Sequence, residues 1–165
     1  MDYYMLIAGS RGFGMRSGYL LGGDEVLCDD DIVETIVDTM LKQYVEEGFT
    51  IHIVEGEARG ADIAGFRYAK KRGYDCVQFP ADWNKYGKRA GFIRNAEMYG
   101  FLKDKEHRSA LLFWDGKSRG TRDNFIRARN TGVKVSCFQY ELRRFLTEDE
   151  IERICDDIES ERRYY

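Results

Sequence analysis

The sequence predicts an α/β fold: a Rossmann-like three-layer sandwich with a mostly parallel sheet of about five strands and an extra C-terminal helix. Three observations point there. Short apolar runs alternate with stretches of helical periodicity. The stretches between the runs are long enough for the helical crossovers that parallel strands need. The runs end in glycine, proline or acidic residues, which punctuate βα turns.

Each element has its own signature. Tyr3 to Ala8 is a continuous apolar run ending at Gly9, as in a buried strand. From Asp29 to Glu46 the apolar residues Ile32, Val33, Ile36, Val37, Met40, Leu41 and Tyr44 form one helical stripe. Asp29, Asp30 and Asp31 open this helix and Gly48 closes it. Ile51 to Val54 reads as a second strand, and Ala61 to Arg72 as a helix ended by Gly73. Cys76 to Phe79 reads as a third strand stopped by Pro80. Gly87 to Tyr99 reads as a helix, Ala110 to Trp114 as a strand, Gly120 to Arg129 as a helix and Val133 to Phe138 as a fifth strand. Thr147 and Glu150 form a capping box ahead of Ile151, Ile154, Cys155 and Ile158, so a final amphipathic helix spans about 147–163. The glycine-rich stretch from Gly12 to Leu27 is the least regular and reads as a long loop between the first strand and the first helix.

Composition bounds the function. The 165 residues fit one domain, 1–165. At 43% hydrophobic and 14% aromatic, the chain has enough apolar material to exclude wholesale disorder. The longest apolar runs fall far short of the roughly 20 residues a membrane-spanning helix needs. The start, Met1-Asp2-Tyr3-Tyr4, lacks the pattern of a signal peptide. Cys28, Cys76, Cys137 and Cys155 form no CxxC pair and there are two histidines, so no metal site is expected, and reduced thiols in a cytoplasmic protein are. A net charge of −3 gives no electrostatic case for nucleic-acid binding. Tyr19, Phe101, Phe138, Tyr140 and Phe145, with the extra helix, exceed what a small sheet needs and imply a homo-oligomer.

In open α/β sheets the ligand lies beyond the carboxyl ends of the strands. Four such ends carry Gly, Ser, Thr, Arg and Asp: Gly9-Ser10-Arg11-Gly12, Glu55 to Asp62, Pro80 to Trp83, and Asp115 to Thr121. Small residues and helix N-termini suit phosphate. Arg11 and Arg59 offer forked donors. Asp62, Asp82 or Asp115 can accept from ribose hydroxyls, and Trp83 or Tyr86 can stack on a base. Structural readings stand beside these: Arg59 can pair with Asp62, Trp83 can be a core aromatic, and Lys70-Lys71-Arg72 can be a solvated helix end. His52 and His107 read as structural. The conjunction at four strand ends favours a nucleotide pocket.

Five segments, Ile7 to Phe13, Val54 to Asp62, Phe79 to Trp83, Tyr86 to Met98 and Phe113 to Thr121, together resemble the YspA-like branch of the SLOG superfamily. That superfamily includes DprA-type DNA-processing proteins and LOG-type phosphoribohydrolases. The resemblance runs from about Met5 to Val135 and leaves out the Gly14 to Leu27 loop and the C-terminal helix. It implies a Rossmann-like fold and a nucleotide-type ligand with no further cofactor. The implied binding positions are Gly9, Ser10, Arg11, Gly56, Arg59, Gly60, Asp62, Asp82, Trp83, Lys88, Arg94, Asn95, Asp115, Gly116, Ser118, Gly120 and Thr121. Two departures stand out. Glu57 replaces the second glycine of the usual Gly-Gly-Ala-Arg-Gly-Ala-Asp motif, and Asn124 falls where LOG enzymes carry a glutamate.

Three functions follow in order. The first is a sensor or sequestering protein for an ADP-ribose-like compound or a cyclic or linear oligonucleotide signal, in the setting of phage–bacteria conflict. The second is a nucleotide N-glycosidase using Glu57, Asp62 or Asp115 as the carboxylate. The third is a DprA-like DNA-processing module, which the net charge and the absence of an appended DNA-binding motif disfavour.

Overall fold

The computed structural model describes residues 1–14 and 29–163. The expected loop to Leu27, apart from its first residues, therefore lies outside the described residues, as do Tyr19 and Cys28. Strands β1 (Asp2–Gly9), β2 (Thr50–Glu55), β3 (Asp75–Gln78), β4 (Arg108–Trp114), β5 (Val135–Gln139) and β6 (Arg144–Phe145) form one sheet. Its order among the described residues is β3-β2-β1-β4-β5-β6. The first five run parallel. The sixth was not expected; it pairs antiparallel with β5, Phe138 opposite Phe145. Two exposed residues carry no periodicity, which is why it escapes a sequence reading.

The helices are α1 (Asp29–Glu46), α2 (Ala61–Arg72), α3 (Trp83–Tyr86), α4 (Ala90–Lys103), α5 (Arg119–Asn130) and α6 (Glu148–Arg163). The helix expected over 87–99 is corrected to two pieces, preceded by a short helical turn that was not expected. Trp83–Tyr86 is one turn capped by Asp82, Gly87–Arg89 is a 3₁₀ turn, and α4 begins only at Ala90. Gly87, at φ +57°, breaks the chain direction between the first two.

Alternation in β1 sorts the core. Tyr3, Met5 and Ile7 face α1 and α2 with Val33, Val37, Leu41, Ala64 and Tyr68. Leu6 and Ala8 face Met98, Leu102, Phe125 and Ala128, with Ile151, Cys155 and Ile158 of α6 on the same side. The capping box forms as expected: the Glu150 amide donates to Thr147 Oγ1 (3.3 Å) and the Thr147 amide to Glu150 Oε1 (3.1 Å). Phe138 and Tyr140, two of the aromatics that argued for a partner, are buried in the core of the single chain. No helix among the described residues is long and apolar enough to cross a membrane.

Candidate functional site

The connection from β1 runs outward through β2 to β3, and the chain then crosses back to lay β4 on the other side of β1. The order therefore reverses between β1 and β4, and a crevice opens beyond their carboxyl ends. Two contiguous cavities of about 470 and 440 Å³ occupy it, sharing Arg11, Ala58, Trp83 and Arg94. Gly56, Glu57 and Arg59 also line the first. Gly9, Ser10, Asp62, Lys88, Asn95, Asp115, Ser118 and Gly120 also line the second.

Close backbone packing builds the floor. The Ser10 amide donates to the Phe113 carbonyl (2.8 Å), and Ser10 Oγ accepts from the Asp115 amide (3.0 Å). A Cβ on Gly9 would stand 2.0 Å from the Phe113 carbonyl oxygen. One on Gly60, at φ +87°, would stand 2.4 Å from the Ser10 carbonyl oxygen. Gly60 thus lets the β2–α2 loop lie directly on the β1 loop.

The loop amides are largely self-satisfied. Asp62 Oδ2 accepts from the amides of Gly56 (3.0 Å) and Ala58 (3.4 Å). Glu55, fully buried, accepts from the Glu57 amide (2.5 Å) and the Gln78 side chain (2.6 Å). Asp115 Oδ1 accepts from the amides of Lys117 and Ser118, both at 2.8 Å. Ser118 caps α5, its Oγ accepting from the Thr121 amide (3.3 Å). Internal carboxylates and a hydroxyl thus hold several donors that a phosphate would otherwise take.

The cations are left open. Arg11, Arg59 and Lys88 form no ion pair among the described residues. Arg94 donates to the Gly56 carbonyl and to Asn95 Oδ1 (3.1 Å). The Arg11 guanidinium lies 6.0 Å from the ring centre of Trp83, which is 50% exposed. Trp83 is therefore a wall of the groove rather than a core aromatic. Arg59 does not take the alternative pairing with Asp62, whose carboxyl turns to the loop amides.

Burial pushes the Asp62 carboxyl up to about 7, opposed by the Arg94 charge and reinforced by Glu55. Burial likewise raises Glu55, against the hydrogen bonds from Gln78 and the Glu57 amide. Glu57 is exposed and sits at φ +57°, a left-handed conformation its glycine counterpart would hold without strain.

Four expected positions stand outside the lining. Gly60 packs on the β1 loop, Asp82 caps α3, and Thr121 and Gly116 belong to the start of α5 and the turn before it. Conversely Gly12, Ala58, Pro80, Ala81, Gly91, Phe92 and Asn124 line the groove without having been singled out as ligand positions. For Asn124 the signal was present: Thr121, Asn124, Phe125 and Ala128 share the buried face of α5.

Fold and site together define a doubly wound α/β protein with an arginine-lined groove at its switch point. The model of the YspA, cpYpsA-related SLOG family matches residues 5–86. The Gene 61 protein of Mycobacterium phage D29 is 32% identical over an alignment of 109 residues that covers 63% of this chain and 84% of that protein. The chain belongs to this SLOG family. DNA processing protein A (DprA) from Streptococcus pneumoniae shares its fold, with a TM-score of 0.56 at 16% identity over 97% of this chain. The match spans 56% of that structure's chain.

Proposed function

We propose that the groove binds a nucleotide or nucleotide-derived ligand, ADP-ribose-like or an oligonucleotide signal, and that the protein is its sensor or sequesters it. The observation that carries this reading is the set of cations facing the groove beside Trp83, none of them in an ion pair among the described residues. Guanidinium forks match phosphate oxygens, and a half-exposed indole offers a stacking face. Since Asp62 and Asp115 hold amides of the β2 and β4 loops, the arginines carry most of the phosphate recognition. The phage-encoded relative supports a place in phage–bacteria conflict.

A second reading, hydrolysis of a nucleotide N-glycosidic bond, draws on Asp62. Its carboxyl lines the second cavity and titrates near neutrality, as a general acid or base requires. Its Oδ1 carries no hydrogen bond among the described residues.

Native mass spectrometry of the protein purified from cells, followed by denaturing extraction, tests the main reading. A retained nucleotide-derived mass that survives incubation supports a binder, and its conversion to a free base supports the hydrolase. If nothing is retained and titration with nucleotides adds no mass, the reading falls.

A further inference from the structure

We infer that Asp123, which lies outside the lining of both cavities, is a positioning residue: acting through Asn95, it holds Arg94 at the groove as a cation whose charge stays open to an anion. This rests on the nucleotide reading above. The contacts run in a chain from the β2–α2 loop through α4 to α5. Arg94 Nη1 donates to the Gly56 carbonyl and Nε to Asn95 Oδ1 (3.1 Å). Asn95, 3% exposed, donates from Nδ2 to Asp123 Oδ2 (3.1 Å) and to the Gly120 carbonyl (3.4 Å). Arg127 Nε donates to the same Asp123 oxygen (2.8 Å) and so holds the far end.

Asp123 decides which way the Asn95 amide faces. A carboxylate and a carbonyl only accept, so Nδ2 turns to α5 and Oδ1 to Arg94. Turned over, the amide would set its oxygen against two acceptors and its NH2 against the Arg94 Nε–H. The hold of the carboxylate thus reaches the guanidinium through a neutral amide. A carboxylate in direct contact would fix Arg94 as well, but it would cancel the charge that a phosphate needs. Arg94 instead forms no ion pair among the described residues. Asp62 and Glu55, whose titration feels its charge, make no hydrogen bond to it. Its Nη2 makes no hydrogen bond among the described residues either. A Cβ on Gly91, which lines the second cavity, would stand 3.9 Å from that Nη2. With Nε and Nη1 committed, the side chain has little freedom left to lose when an anion meets Nη2. Sequence order hides the link, since Asp123 stands 28 residues from Asn95 and pairs with Arg127 one helical turn on.

The test is calorimetric titration of the full chain with AMP and ADP-ribose, with melting curves alongside. It compares wild type, Arg94→Ala, Asp123→Ala, Asp123→Asn and the Arg94→Ala/Asp123→Ala double variant. Asp123→Ala is expected to weaken the tighter probe about threefold or more. Asp123→Asn, whose side-chain oxygen still accepts from Asn95, is expected to restore it to within about twofold of wild type. In the Arg94→Ala background, Asp123→Ala is expected to cost less than about twofold, because the cation it positions is gone. Where Arg94→Ala leaves no measurable binding, the contrast between alanine and asparagine at position 123 decides alone. Should Asp123→Ala fail to fold, Asp123→Ser, polar but too short to reach Asn95, takes its place. A lower melting temperature with unchanged affinity in Asp123→Ala, no recovery in Asp123→Asn, or an undiminished loss without Arg94 overturns the inference and leaves the nucleotide reading standing. Binding of neither probe by wild type overturns both.

Discussion

At the C-terminal end of α2, Lys71 and Arg72 are tied across to α1. Lys71 Nζ meets Glu34 at 2.6 Å, and Arg72 Nη2 meets Glu34 at 2.6 Å and Asp38 at 2.5 Å. At the N-terminal end of the same helix, Arg59 faces a groove shared with Arg11 and Arg94 and has no carboxylate partner among the described residues. The first set lies where cations suit the helix dipole, and it is paired as well. The second lies where the dipole is already positive. An arginine kept there unpaired is disfavoured until an anion arrives. The same residue type thus closes one end of α2 and stands without an ion pair, among the described residues, at the other.

The largest way to break this contrast is steric. Gly60→Ala places a Cβ 2.4 Å from the Ser10 carbonyl oxygen and 2.7 Å from Arg11 Cα, at φ +87°. Urea denaturation is expected to show a loss of ~2–4 kcal/mol. Gly73→Ala, at the other end of α2, meets nothing within 4 Å at φ +70°. It is expected to lose about 1 kcal/mol.

Asp62 gives the next effect. Its folded pKa of about 7 lies above its ordinary value of 3.8, so the folded state holds the extra proton between them. Its contribution is fully present below 3.8 and is lost as pH rises through about 7. Asp62→Asn, which stays neutral, is expected to gain ~2–4 kcal/mol relative to wild type between pH 4 and 8. Denaturation at both ends of that window reads it. ADP-ribose lacks a phosphate that titrates near 7, so its affinity for wild type is expected to fall across that value as Asp62 ionises, and that of Asp62→Asn to stay level.

Arg72→Ala is expected to lower the melting temperature by about 2–4 °C and to leave nucleotide binding unchanged. Away from both ends of α2, burial opposes charging of His52, but hydrogen bonds from its ring to Asp75 and Asp2, both at 2.8 Å, raise its pKa overall. That contribution is present below about 6.5 and lost as pH rises through the raised folded value. The smallest expected effect is thus a loss of stability in His52→Gln that is greater at pH 6 than at pH 8.5, read from melting curves.

Much of the frame was legible. The apolar stripe from Ile32 to Tyr44 and the glycine after Arg72 placed α1 and α2 at the bounds the structure shows. What was not legible depended on contacts between distant segments. Glu55 reads as a loop acid, yet it ends β2 fully buried, held by Gln78 of the neighbouring strand. The sequence places Asp62 in the site, but not its turn back onto the Gly56 and Ala58 amides, which removes donors a phosphate would have used. Lys71 and Arg72 looked solvated because their partners lie on α1, some 37 residues away in sequence.

The comparison comes down to which cations are available. The most direct measurement is equilibrium binding of AMP and ADP-ribose to wild type, Arg11→Ala and Arg72→Ala, with melting curves alongside. The account predicts that wild type and Arg72→Ala bind alike. It predicts that Arg11→Ala melts like wild type and loses about tenfold or more in affinity. Equal affinity in all three, or no binding to wild type, contradicts it.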